Sequence, residues 1–188
     1  MTAATRDDVL ALVTARVAND HLRRHMLATE AIMRALAARL GADPELWGLA
    51  GLAHDLDSEE TEGDFTRHGA EAAETLRGLG LPEEAAHAVA AHNPATGVPA
   101  SSSFDVALLA ADQLSGLITA AALVRPDKDL LSVQAKSVRK RFREGAFARG
   151  VDRDAIARCE ELGLELGEFL ALGLEAMQGI APELGFSA

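Results

Sequence analysis

The chain has 188 residues, 48% of them hydrophobic and only 4% aromatic, with no tyrosine; this fills one globular core and suits close-packed helices better than a sandwich or barrel. A formal net charge of -11 argues against a surface built for nucleic acid or an anionic membrane. The single cysteine, Cys159, excludes an intrachain disulfide and a thiolate-rich structural zinc site, and suits a reducing cytoplasm.

In chain order, segment 1–20 mixes polar and apolar residues and carries Asp7 and Asp8, without the basic-then-apolar layout of a signal peptide. Helical periodicity predicts helices over 6–17, 22–40, 44–54, 66–79, 82–91, 104–123, 132–143, 152–161 and 165–184. Pro44 after Asp43, and Pro82 before Glu83 and Glu84, mark two helix starts, while Gly41, Gly80 and Gly150 read as left-handed stops. The stretch from Val106 to Val124 comes nearest to a membrane span, but Asp112, Gln113 and Ser115 interrupt it. On the last helix the stripe Leu166, Phe169, Leu170, Leu174 and Met177 is either core or a homodimer surface. No repeat, heptad array or strand alternation is present. The expectation is a soluble, cytoplasmic, all-α helical bundle forming a single domain over 1–188. Its chemistry-bearing part is 22–123, and 132–184 adds further C-terminal helices.

The chemistry starts at His54-Asp55. They close the apolar run Leu46-Trp47-Gly48-Leu49-Ala50-Gly51-Leu52-Ala53, which delivers an imidazole and a carboxylate into the interior. Burying such groups costs several kcal/mol unless something pairs with them, and a metal ion is a suitable partner. Four further residues fall on apolar faces. His25 shares a stripe with Leu22, Thr29, Ile32 and Leu36, and His68 one with Ala72, Leu76 and Leu79. His92 follows Ala85, Ala88 and Val89, and Asp112 sits among Leu108, Leu109 and Leu117. A lone inward histidine is usually a core residue with one backbone hydrogen bond. Four histidines and two aspartates on the inner faces of several helices are how bundles build metal sites, and this ligand mix suits manganese, iron, cobalt, nickel or zinc. His21, one turn before His25, is an alternative to it. His87 lies about 140° round the helix from His92 and reads as surface.

The order His25, His54-Asp55, His68, His92, Asp112 resembles the HD-domain superfamily of metal-dependent phosphohydrolases over roughly 22–123. The resemblance implies one metal held by His25, His54, Asp55 and Asp112, and a second held by His68 and His92 with Asp55 bridging. It further implies two divalent ions, iron or manganese before cobalt, nickel or zinc, with Asp55 central to catalysis. A bridging hydroxide would then attack a small phosphorylated metabolite such as a nucleotide. After the dyad the chain reads Leu56-Asp57-Ser58, where cyclic-dinucleotide phosphodiesterases of the superfamily carry glycine and lysine, so that activity is not expected. Asp57 and the acids Glu59, Glu60, Glu62 and Asp64 read as a solvated loop.

For the substrate's charge the candidates are Lys136 and Arg139, on the basic face of helix 132–143, Arg24 beside His25, and Asn93 beside His92. Arg24 and Asn93 serve equally well as supports for the neighbouring ligands. Two rival functions use the same residues. One is a diiron oxygenase of the superfamily that cleaves a carbon–carbon or carbon–phosphorus bond; the other is a non-catalytic regulatory or binding module whose metal is structural or absent.

Overall fold

Side-chain caps set where most of the helices begin. The structure, a computed structural model, describes residues 4–186. Thr5 and Asp8 form a reciprocal capping box at the start of α1 (Arg6–Arg16). Asn19 accepts from the His21 and Leu22 amides to open α2 (Asp20–Leu40), and Asp43 with Pro44 opens α3 (Pro44–Ala53). Then follow α4 (Ala70–Gly78), α5 (Glu83–Ala91) and α6 (Ser103–Leu123), the last started by a second capping box between Ser102 and Asp105. The remaining helices are α7 (Ala135–Arg143), α8 (Arg153–Ala157) and α9 (Leu166–Gln178), with 3-10 turns at Pro94–Thr96 and Arg158–Leu162. No strand occurs among the described residues, and the fold is all-α.

The core runs from Val9 on α1 to Leu184 beyond α9 as one connected apolar cluster. α6 stands at its centre, packed by α2, α3, α5, α7, α8 and α9. By length and composition α6 could cross a membrane despite Asp112, Gln113 and Ser115, and it is the one described helix that could. Here 67% of its most apolar stretch is buried among the other helices. On α9, Phe169, Leu170, Leu174 and Met177 of the expected stripe are buried and belong to the core, while Leu166 is half-buried.

α2 and α3 run antiparallel and touch closely because of Gly51. A Cβ there would lie 3.0 Å from Cα and N of Glu30 and from the Thr29 carbonyl oxygen, so only a glycine lets the two backbones come this near. Glu30, buried at that crossing, accepts from Arg6 (2.6 and 3.0 Å) and Arg34 (2.9 Å), which keeps its charge paired.

Several boundaries differ from the periodicity. The helix expected over 66–79 begins at Ala70, because Gly69 takes φ +87° and Asp64 binds Thr66 in a turn; His68 therefore sits on that turn and not on a helical stripe. The helix expected over 132–143 begins at Ala135, and α8 tightens into a 3-10 turn at Arg158. α9 stops at Gln178, after which Gly179 and Pro182 carry the chain through turns. Gly41 and Gly80 have the expected positive φ, whereas Gly150 does not, since α7 already ends at Arg143.

Candidate metal centre

His25 comes from α2, His54 and Asp55 from the end of α3, His68 from the turn before α4, His92 from the end of α5 and Asp112 from the middle of α6. The structure brings these six side chains together. His25 Nε2 lies 3.2 Å from His54 Nε2 and 3.0 Å from Asp112 Oδ1. His54 Nε2 is 3.7 Å from the same Asp112 oxygen. Asp55 stands between two histidine pairs. Its Oδ2 is 3.5 Å from Nε2 of both His25 and His54, and its Oδ1 is 3.2 Å from His68 Nε2 and 3.6 Å from His92 Nε2. The donor atoms of His25, His54 and Asp55, and those of Asp55, His68 and His92, each lie within 4.8 Å of one another. Such spacings fit ligands about 2.0–2.2 Å from a shared ion.

The other ring nitrogens decide what these imidazoles can do. His54 Nδ1 donates to the Gly51 carbonyl (2.8 Å) and His92 Nδ1 to the Val89 carbonyl (2.6 Å), because a carbonyl oxygen only accepts. His68 Nδ1 donates to Asp57 Oδ1 at 2.9 Å. His25 Nδ1 lies 2.9 Å from Ser115 Oγ, whose proton goes to the Asp112 carbonyl at 2.8 Å, so the hydroxyl accepts from the ring. All four histidines thus carry a proton on Nδ1 and turn Nε2 toward the two carboxylates. That is the arrangement of imidazoles that ligate through Nε2.

The electrostatics are strongly coupled. Burial lowers the His25 pKa, but the hydrogen bond to Asp112 and the charges of Asp112 and Asp55 outweigh it and carry the group up to about 9. Hydrogen bonds to Asp55 and Asp57 take His68 up to about 10. Burial opposes ionisation of Asp55 and Asp112, yet the surrounding imidazoles hold both well below the usual carboxylate range. Two largely buried carboxylates thus stay ionised, and a divalent cation answers that charge with one ion.

A family model of the HD domain matches residues 22–123, more than half of the chain. The chain belongs to the HD domain family. No curated protein and no solved structure matches it. HD domains bind divalent metals, and the His–Asp groups of this HD domain are of the kind that can hold one.

Three supports of the HD site escape the periodicity. Asp57 is fully buried rather than solvated, and its second oxygen accepts from the Gly69 and Ala72 amides at 2.8 Å each. Gln113 donates to Asp112 Oδ2 at 2.7 Å and accepts from the Asp152 amide at 2.8 Å, fixing the carboxylate. Ser115 orients His25, as described. The available signal was polar residues inside an apolar helix: Gln113 and Ser115 follow Asp112 in a long, otherwise apolar segment. Gly69 also matters, since a Cβ there would lie 3.0 Å from His92 Cε1, so the turn can press His68 against His92.

The proposed substrate contacts divide. The Asn93 amide donates to the carbonyls of Phe65 (2.7 Å) and His68 (2.9 Å), and its oxygen accepts from Ala95, so it ties the turn bearing His68 to the end of α5. Arg24, with His21 and His25, lines a cleft of about 440 Å³. Lys136 and Arg139 are exposed on α7 and do not line that cleft; Lys128, which periodicity did not single out, does. His21 is exposed and lies outside the cluster, which holds His25. His87 also stands outside it, yet is only 38% exposed and binds Asp105 at 3.0 Å.

Proposed function

We propose that this chain is a metal-dependent phosphohydrolase acting on a small phosphorylated metabolite. Two divalent transition-metal ions, iron or manganese first, would be held by His25, His54, Asp55 and Asp112, and by His68, His92 and Asp55. The carrying observation is that four imidazoles, each with Nδ1 bonded to an acceptor, direct Nε2 at two ionised carboxylates. When bound, such ions supply a water acidified to near-neutral pH and neutralise phosphoryl charge.

Asp55 has the distinctive part. Its two oxygens face opposite histidine pairs, so it sets the separation of the two positions. Asp112 serves one of them only, with Gln113 holding its second oxygen. Arg24, one residue from His25 and lining the cleft, neutralises and orients the substrate's anionic end. We read the chain as a single domain of the cytoplasm, consistent with the free, buried Cys159.

The test is elemental analysis of protein purified without chelators or a histidine tag, followed by assays of phosphate release and oxygen uptake. Two iron or manganese equivalents with phosphate released from simple monoesters are expected. Oxygen uptake by the iron-loaded protein without phosphate release would overturn the hydrolase in favour of the oxygenase. No metal after reconstitution would leave a non-catalytic module.

A further inference from the structure

The cleft beside His25 is lined chiefly by apolar groups. Its α6 wall is Gly116, Thr119, Ala120 and Leu123, which continue outward from Asp112 at helical spacing on the same face. From Asp112 to Leu123 that face climbs about 16 Å at 1.5 Å per residue. A ligand seated against His25 therefore has one continuous wall to follow away from the metal centre. Leu184 and Phe186 add to the apolar lining, and Leu123 is 51% exposed although large and apolar.

Charge is confined to few places. Arg24 and Lys128 both line the cleft. The neighbouring Arg23 and Arg125 pair with Asp20 and Asp127, whereas neither Arg24 nor Lys128 forms an ion pair among the described residues. Apart from histidine, the one neutral polar side chain on the lining is Thr119. A polyhydroxylated ligand would bury hydroxyls against this wall with almost nothing to bond, at about 1–3 kcal/mol for each unsatisfied group. A volume of about 440 Å³ suits a small molecule.

We infer that this cleft takes a phosphate monoester with an apolar body, alkyl or aryl, and discriminates against sugar phosphates. The phosphoryl group lies toward His25 and Arg24, and the body runs along Gly116, Ala120 and Leu123. The inference rests on the proposed hydrolase reading for the place of the phosphoryl group, while the apolar wall is independent of it.

The experiment is calorimetric titration, in the absence of oxygen, of the metal-loaded protein with methyl-, butyl- and hexylphosphonate, which have no ester bond to hydrolyse, and with ribose 5-phosphate, alongside a separate phosphate-release assay. Affinity is expected to rise by up to about fourfold per methylene, hexylphosphonate to bind more tightly than ribose 5-phosphate, and Leu123→Asp to flatten the rise. Equal affinity along the alkyl series, or tighter binding of the sugar phosphate, overturns the inference. The two readings fail separately: a flat series with phosphate release removes only the apolar specificity, and a rising series without phosphate release removes only the hydrolase.

Discussion

Asp57 Oδ1 accepts from His68 Nδ1 at 2.9 Å while the other face of the same imidazole looks at Asp55 from 3.2 Å. A carboxylate behind a ligating histidine fixes its tautomer and makes Nε2 more basic. Asp57 also binds the Gly69 and Ala72 amides, so one buried residue holds both the ring and the start of α4. Asp57→Asn keeps the shape but gives up one acceptor oxygen. The expected result is a loss of roughly 10–100-fold in affinity at the His68–His92 position, with elemental analysis falling from two ions to one. Two ions held at the wild-type affinity would show that Asp57 serves the fold alone.

Asp55 is the one residue within reach of all four Nε2 atoms. Asp55→Ala is therefore expected to remove both ions and all turnover, with the helical circular dichroism retained. Asp112→Ala should remove only the ion between His25 and His54, because its contacts go to those two rings. His87→Ala, outside the cluster, should leave metal content unchanged. If Asp55→Ala keeps most of its metal, the shared-carboxylate reading is wrong.

The helices and the inward faces of His25, His92 and Asp112 were legible because they depend on spacing of three and four, which a one-dimensional pattern records, and His54-Asp55 because an apolar run leads into it; His68 reaches the cluster from a turn and not from the helical stripe expected of it. The start of α4 was not, since it depends on Gly69 at φ +87° and on a turn tied by Asp64 to Thr66. Asp57 was misread for a related reason: it stands in an acidic run whose other members, such as Glu59 and Glu60, are exposed, and its amide partners Gly69 and Ala72 lie 12 and 15 residues further along the chain. Lys128 reaches the cleft from a loop, where helical periodicity carries no information.

Gly51 sets the distance between α2 and α3 one turn away from His25 and His54. A methyl group there would press on the Glu30 backbone and the Thr29 carbonyl at 3.0 Å, and backbone cannot rotate aside as a side chain can. Gly51→Ala is expected to cost about 1–3 kcal/mol in denaturant unfolding and to weaken the ion held by His25 and His54 more than the one held by His68 and His92. Wild-type stability with unchanged metal affinity would mean that the two helices separate without consequence for the site.

Asp105, fully buried at the start of α6, gives a pH dependence away from the metal centre. Burial works to raise its pKa, but the amides of Ser101 and Ser102, the Ser102 hydroxyl and His87 bind the carboxylate and lower it overall. Because the folded value lies below the ordinary aspartate value of 3.8, its contribution to stability is complete above that pH and disappears as pH falls through the folded value. Asp105→Ala removes the capping box and is expected to cost about 1–2 kcal/mol at pH 7. The gap between wild type and variant should then narrow in denaturant titrations below pH 4. A gap that stays constant down to pH 2 would show that the carboxylate's charge adds nothing to the start of α6.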